Sequence, residues 1–343
     1  MLEEIREQPR ALERTLAAEL AGVEDLRRRF SRERPRLIVL VARGTSDNAA
    51  TFGRYLLEIC TGIPVSLAAP SVVTLYDSRL GYRDALVVAI SQSGESTDTN
   101  AFLERARGQG VVTVGITNEE GSSLAKLAQH VLLVRAGKEK SVAATKTYTG
   151  QLLAFYLLAY ALGASIDIDQ LRGLPTQVET ALSLEPSITY LSERYTFMDH
   201  AIVVGRGLNY SNAFEFALKL METCYVVAER FSSADLLHGP IAMVEHSFPS
   251  FVFAPSGVAW PGLKETLAKL QHLRAETLVI TDRSNAEAAK SAKRTICLPI
   301  ELTELYTPIP YIVPAQMFAA RLAEQKGLNP DEPRTLSKVT KTL

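Results

Sequence analysis

One pattern of residues occurs twice in this chain. Asn48, Ala49, Phe52, Leu56, Glu58 and Cys60 return as Asn212, Ala213, Phe216, Leu220, Glu222 and Cys224, each 164 residues later, and Arg43-Gly44 returns one residue out of step as Arg206-Gly207. Apolar positions at helical spacing recur by shared pattern alone. A repeated asparagine, glutamate and cysteine at the same interval is not explained that way, so a duplicated domain is expected. The length agrees, because 343 residues suit two domains of roughly 150 residues each.

Within each copy, short apolar runs alternate with amphipathic stretches. The first copy has Leu37–Ala42, Val65–Leu67, Leu86–Ile90, Val111–Thr117 and Val131–Val134, with helical spacing over Asn48–Cys60 and Asp98–Gln109. The second has Ala201–Val204, Phe251–Ala254, Thr277–Thr281 and Thr295–Leu298, with helices over Asn212–Cys224 and Leu263–Leu273. Apolar strands alternating with helices predict an α/β fold of two similar doubly wound, flavodoxin-like parallel sheets, with ligands beyond the carboxyl ends of the strands. The expected divisions are an N-terminal helical segment over 1–34, a first domain over 35–165, a partly helical connector over 166–197, a second domain over 198–328 and a C-terminal tail over 329–343. Arg27-Arg28-Arg29 reads as a solvated face of the first helix.

Composition removes several function classes. A hydrophobic fraction of 47%, 22% charged residues and a formal net charge of −1 describe a soluble globular protein with no electrostatic reason to bind nucleic acid or an anionic membrane. Cys60, Cys224 and Cys297 are far apart and show no metal-ligand spacing, so neither a disulfide framework nor a zinc site is expected. The charged opening Met1-Leu2-Glu3-Glu4-Ile5-Arg6 has no apolar signal core, and the apolar stretch Leu152–Ala164 is short for a membrane span and reads as a buried helix. A cytoplasmic protein is expected.

The segment Ser91-Gln92-Ser93-Gly94-Glu95-Ser96-Thr97-Asp98-Thr99 follows a strand and opens a helix. Unpaired N–H groups at a helix start attract anions, small hydroxyls donate to phosphate oxygens, and a glycine lets the backbone approach. Arg43-Gly44-Thr45-Ser46 ends the first strand with the same chemistry. Caps and turns use the same residue types, so each segment taken alone also reads as an ordinary turn. Neither is a Walker A loop or a GxGxxG fingerprint, which disfavours a nucleotide.

Taken together, Gly44-Thr45-Ser46, Ser91–Thr99, Ser141-Val142-Ala143-Ala144-Thr145-Lys146, Leu218-Lys219-Leu220-Met221-Glu222, Leu237-His238-Gly239-Pro240 and Glu332-Pro333-Arg334-Thr335-Leu336-Ser337-Lys338 resemble the tandem sugar isomerase (SIS) domain family. The resemblance is to the isomerase portion of glucosamine-6-phosphate synthases and to stand-alone glucosamine-6-phosphate deaminases. It implies that Ser46, Ser91, Gln92, Ser93 and Ser96 hold a sugar phosphate, with Thr45 and the backbone of Val142 and Ala143 lining the site. It further implies that Glu222 moves a proton between C1 and C2, that His238 opens the ring, that Lys338 meets the open-chain carbonyl, and that Lys219 stands beside the catalytic carboxylate. No cofactor or metal is implied. The partner implied is a sugar phosphate, in a homodimer whose site is shared between subunits, with His238 reaching in from the second subunit.

The chemistry is coherent without the resemblance. Interconverting a 2-amino aldose and a 2-ketose needs an open chain and a base beside the carbonyl or imine, and one carboxylate along the edge of the intermediate serves both carbons. A neighbouring ammonium stabilises the oxyanion that develops. The residues themselves admit blander readings: Lys219 and Glu222 as a surface ion pair, His238 as a turn cap, Lys338 as a solvated tail lysine. Two positions depart from the synthase pattern, Ala144 in place of a serine that contacts the sugar and Leu237 in place of a lysine. No glutaminase region precedes the first domain, so the chain is expected not to draw ammonia from glutamine. Three functions stay open: a glucosamine-6-phosphate deaminase-isomerase, an enzyme for another amino-sugar or fructosamine phosphate, and a non-catalytic sugar-phosphate sensor.

Overall fold

Strands that are apolar on both faces can be stable only inside a layered structure, with helices covering each face. The computed structural model describes residues 1–336 and shows two such sheets. The first contains β1 (Leu37–Val41), β2 (Val65–Leu67), β3 (Ala85–Ile90), β4 (Val112–Thr117) and β5 (His130–Leu133). The second contains β6 (His200–Gly205), β7 (Val227–Ser232), β8 (Pro249–Phe253), β9 (Glu276–Asp282) and β10 (Arg294–Leu298). Every pairing is parallel. The spatial orders are β2-β1-β3-β4-β5 and β7-β6-β8-β9-β10. Numbered within each half, both read 2-1-3-4-5, the flavodoxin-like order.

The described residues form two compact units, one of Arg10–Glu139 with Lys146–Arg172 and one of Met1–Pro9, Lys140–Thr145 and Gly173–Leu336. In the first unit Val39, Val41, Val87 and Ala89 pack with Phe102, Leu103 and Leu124. In the second unit Ile202, Val204, Val252 and Val279 pack with Leu263, Leu267 and Leu270. The duplication extends to the other face of each sheet. Helix Thr45–Thr61 meets helix Lys146–Ala161 through Phe52 and Phe155, and Gly53 is small because an added Cβ would fall 2.3 Å from the Phe155 ring. Helix Tyr210–Cys224 meets helix Pro308–Gln325 through Phe216 and Phe318, edge to face at 5.9 Å.

Helix Lys146–Ala161 contains most of Leu152–Ala164, the stretch that reads as a buried helix in the sequence, but begins six residues earlier and ends three earlier; nearly every one of its residues is buried. The N-terminal segment forms helices Leu2–Arg6 and Gln8–Arg32. Glu19 on the longer helix accepts from the Leu133 N–H at 3.1 Å and pairs with Arg135, so this helix covers the β5 edge of the first sheet. Arg28 is 68% exposed, as a solvated face requires. The connector forms helices Ile168–Leu182 and Glu185–Glu193. One strand escapes the sequence pattern. β7 reads Val-Ala-Glu-Arg-Phe-Ser and lies at the sheet edge, where only one long side is paired and half of its side chains meet water.

Candidate active site

In the first sheet the strand order reverses between β1 and β3, and the crevice at that switch point is where a doubly wound sheet takes its ligand. The predicted phosphate segments follow these two strands. After β1, Gly44 adopts φ +57°, a left-handed conformation that suits glycine, and its carbonyl accepts from the Asp47 and Asn48 N–H groups to start the helix. Thr45 is half-buried and Ser46 buried, with the Ser46 hydroxyl accepting from Gln151 Nε2 at 2.9 Å.

After β3, Ser91 is buried and its Oγ accepts from the Gly94 N–H at 3.1 Å. Gly94 has φ +67°, and an added Cβ would fall 2.2 Å from Ser122 Oγ, so the turn needs glycine on two counts. Ser93 Oγ accepts from the Glu95 N–H at 3.2 Å, Ser96 Oγ meets Thr99 Oγ1 at 3.0 Å, and the Gln92 carbonyl accepts from the Asn118 N–H at 3.1 Å. Ser96 is the residue before helix Thr97–Arg107. Arg43 from the first turn reaches Asp98 in the second at 2.7 Å, with Asp98 only 3% exposed. That ion pair joins the turn that carries Thr45 and Ser46 to the turn that carries Ser91, Gln92, Ser93 and Ser96. Glu95, the acidic residue inside the loop, is turned away: its carboxylate accepts from Ser123 N–H and Oγ at 2.9 and 2.8 Å, which lowers its pKa.

The proton-transfer candidates lie in the second unit, on helix Tyr210–Cys224. Glu215, Lys219 and Glu222 are spaced at i, i+4 and i+7 and share one face. Lys219 Nζ is 2.6 Å from Glu222 Oε2 and 3.4 Å from Glu215 Oε1. The side chains of Lys219 and Glu215 are 0% exposed and that of Glu222 24%, so the row is a buried charge cluster opening at Glu222, not a surface ion pair. Glu215 is the functional candidate that sequence reading misses; its signal is the turn-by-turn spacing with Lys219 and Glu222. Tyr225 ends the helix at φ +55°, and its hydroxyl accepts from the Arg334 N–H at 2.9 Å while the Arg334 guanidinium covers its ring at 4.1 Å.

His238 is exposed and closes the short helix Ser233–Leu237, its N–H donating to the Asp235 carbonyl at 3.2 Å. Among the described residues no hydrogen bond or ion pair joins it to Glu222. Val142 and Ala143 sit with the second unit, where the Val142 N–H donates to the Asp331 carbonyl at 3.1 Å and the Glu4 carboxylate takes the Lys140 and Ser141 N–H groups. Lys338 lies outside the described residues. Among those residues no cluster of His, Cys, Asp or Glu is arranged to hold a metal ion, and no helix is long and apolar enough to cross a membrane.

Comparison with known proteins places this geometry in a family. The SIS domain matches residues 33–161 and again 198–323. The chain is 36% identical over 349 residues to the isomerizing glutamine–fructose-6-phosphate aminotransferase of Pyrococcus horikoshii, covering 98% of this chain and 57% of that protein. The same enzyme of Methanothermobacter thermautotrophicus is 36% identical over 343 residues, with 98% and 56% covered. The chain thus spans a little over half the length of the curated relatives it matches. Among solved structures, the C-terminal domain of glucosamine-fructose-6-phosphate aminotransferase from Francisella tularensis superposes with a TM-score of 0.88 at 30% identity, covering 97% of each chain. Glucosamine-6-phosphate deaminase from Thermotoga maritima shares the fold, with a TM-score of 0.77 at 23% identity over 99% of each chain.

Proposed function

Because this chain belongs to the SIS domain family, we propose that it is a phosphosugar aldose–ketose isomerase that also deaminates, converting glucosamine 6-phosphate and water to fructose 6-phosphate and ammonia. The burial of Lys219 between Glu215 and Glu222 carries the reading. An ammonium held at 0% exposure is costly unless paired, and here it fixes the one partly exposed carboxylate of the row. A surface ion pair or a binding-only module has no need of that arrangement.

The crevice after β1 and β3 takes the phosphate through the Ser46, Ser91, Ser93 and Ser96 hydroxyls and the N–H groups that start helix Thr97–Arg107. His238 moves the proton that opens the pyranose to its C1 aldehyde. The Glu222 carboxylate then removes the C2 proton and returns it at C1, which turns the 2-amino aldehyde into a 2-imine. Water adds to that imine, and ammonia leaves as the C2 ketone forms. Lys219 orients Glu222 and stabilises negative charge on the carbonyl oxygen during the transfer, and Lys338 meets the carbonyl end of the open chain. The working form is a homodimer in which His238 comes from the other subunit.

Ala144, half-buried where the synthase pattern has a serine, favours one alternative, a related amino-sugar phosphate that lacks the matching hydroxyl contact. The test is turnover of glucosamine 6-phosphate by wild type and Glu222→Gln, with thermal stabilisation by fructose 6-phosphate as the measure of binding. Glu222→Gln should keep the stabilisation and lose product formation by about 10²–10⁴-fold, the range of a general base. Unchanged turnover in that variant would remove Glu222 from the mechanism.

A further inference from the structure

The two halves differ at the place where the first one is built to take an anion. Strands β3 and β8 end at Ile90 and Phe253, and the helices that follow begin at Thr97 and Trp260. The connecting loops are therefore equal in length and align residue by residue. Ser91-Gln92-Ser93-Gly94-Glu95-Ser96 stands against Ala254-Pro255-Ser256-Gly257-Val258-Ala259. The glycine is kept, at φ +67° in the first loop and +115° in the second. The other turn of the crevice keeps its glycine too, Gly44 at φ +57° after β1 and Gly207 at φ +58° after β6. The hydroxyls of Ser91 and Ser96 are replaced by alanine, and the retained Ser256 Oγ is engaged with Ser284 Oγ at 2.7 Å.

A carboxylate fills the space between these turns. Glu304, in the turn before helix Pro308–Gln325, places Oε2 where it accepts from the Ala259 N–H at 3.4 Å. A Cβ added to Gly257 would fall 2.3 Å from that oxygen, and one added to Gly207 would fall 3.8 Å from Oε1. Ala259 has no side chain able to cap helix Trp260–His272, so the negative charge this helix start favours comes from Glu304. We propose that the second half retains the frame of an anion site and closes it from within, with the Glu304 carboxylate standing where the first half takes a phosphate. It follows that each chain holds one sugar phosphate, and that Glu304 repels a second. This count of one rests on the reading of the first crevice as the phosphate site; the closure by Glu304 does not. Burial pushes the Glu304 pKa up more than the Ala259 and Val258 N–H groups hold it down, so the charge sits there against the preference of its surroundings.

The probe is inorganic phosphate, measured by equilibrium dialysis against chloride at matched ionic strength. Wild type should bind one phosphate per chain, and the Ser93→Ala/Ser96→Ala variant none. Glu304→Ala should bind two, and the triple variant one, at the newly opened crevice. A folded Glu304→Ala that binds no more phosphate than wild type overturns the proposal, as does a wild type that binds two. If wild type binds none while Glu304→Ala binds one, the first-half reading fails and the closure stands. Should Glu304→Ala not fold, Glu304→Gln keeps the volume and an oxygen for the Ala259 N–H while removing the charge. Phosphate should then stabilise Glu304→Gln against heat more than it stabilises wild type, and equal stabilisation would overturn the proposal.

Discussion

Lys219→Met replaces a buried ammonium with an apolar chain of similar length. The ammonium lies 2.6 Å from the Glu222 carboxylate and 3.4 Å from the Glu215 carboxylate. At an effective dielectric of about 20 those separations correspond to attractions of roughly 6 and 5 kcal/mol. The desolvation of a buried ammonium, several kcal/mol, offsets much of this, and removing one member of a buried pair costs about 3–5 kcal/mol in practice. The loss falls mainly on Glu215, which is 0% exposed, because Glu222 at 24% is partly solvated. Urea unfolding followed by the fluorescence of Trp260, the one tryptophan in the sequence, reads the change within the same unit. With a slope of ~2–3 kcal/mol/M the midpoint should fall by about 1–2 M. Adding Glu215→Gln to Lys219→Met removes the buried carboxylate that faced the ammonium and should recover part of the loss. A Lys219→Met protein that unfolds within about 0.5 kcal/mol of wild type, the range of ordinary surface changes, would refute the description of this row as a buried charge cluster.

Other outcomes follow from single observations. Gly94→Ala combines a left-handed φ of +67° with a Cβ 2.2 Å from Ser122 Oγ; it should destabilise the protein by about 1–3 kcal/mol and abolish thermal stabilisation by sugar phosphate, read by thermal melts with and without fructose 6-phosphate. Arg43→Ala cuts the pair that joins the turns after β1 and β3, leaving buried Asp98 without its guanidinium; if these turns hold the phosphate as proposed, steady-state kinetics should show KM for the sugar phosphate rising about tenfold or more with a smaller change in kcat, and equal loss in both would contradict a positioning role. Hydrogen bonding from Arg6, with support from Arg321, lowers the Glu185 pKa below its ordinary value. The stability this contributes is present above the ordinary carboxylate range and is lost as pH falls through the lowered folded value. Denaturant melts should accordingly find Glu185→Gln weaker than wild type by about 1–2 kcal/mol at pH 7, with the gap closing toward pH 3.

How much of this was legible in the sequence depends on whether a feature is local. The central strands announce themselves because residues such as Leu86, Val87 and Val88 are buried on both faces of the sheet and leave no room for polar positions. The same logic hides β7, an edge strand whose Glu229 and Arg230 face water. The loop Ser91–Ser96 is readable because its glycine and hydroxyls are contiguous, and the two halves are readable because Asn48 and Glu58 repeat as Asn212 and Glu222. What those repeats do is not readable. Glu58 accepts from the Val65 N–H at 3.0 Å and holds an edge strand, whereas Glu222 meets an ammonium because position 219 is lysine and its counterpart is Tyr55. Glu304 stands 47 residues after Gly257 in the chain, so no spacing rule could place its carboxylate against that glycine. The same holds for Lys140–Thr145, which groups with the second unit although the segments before and after it belong to the first.

The proposed reaction turns an amino-sugar phosphate into a ketose phosphate by proton transfer at Glu222. It is tested most directly by incubating the full chain with glucosamine 6-phosphate and measuring ammonia and fructose 6-phosphate in the same samples. Both should accumulate in equal amounts with wild type, and neither should with Glu222→Gln. A wild-type protein that is stabilised by the sugar phosphate yet releases neither product would contradict it.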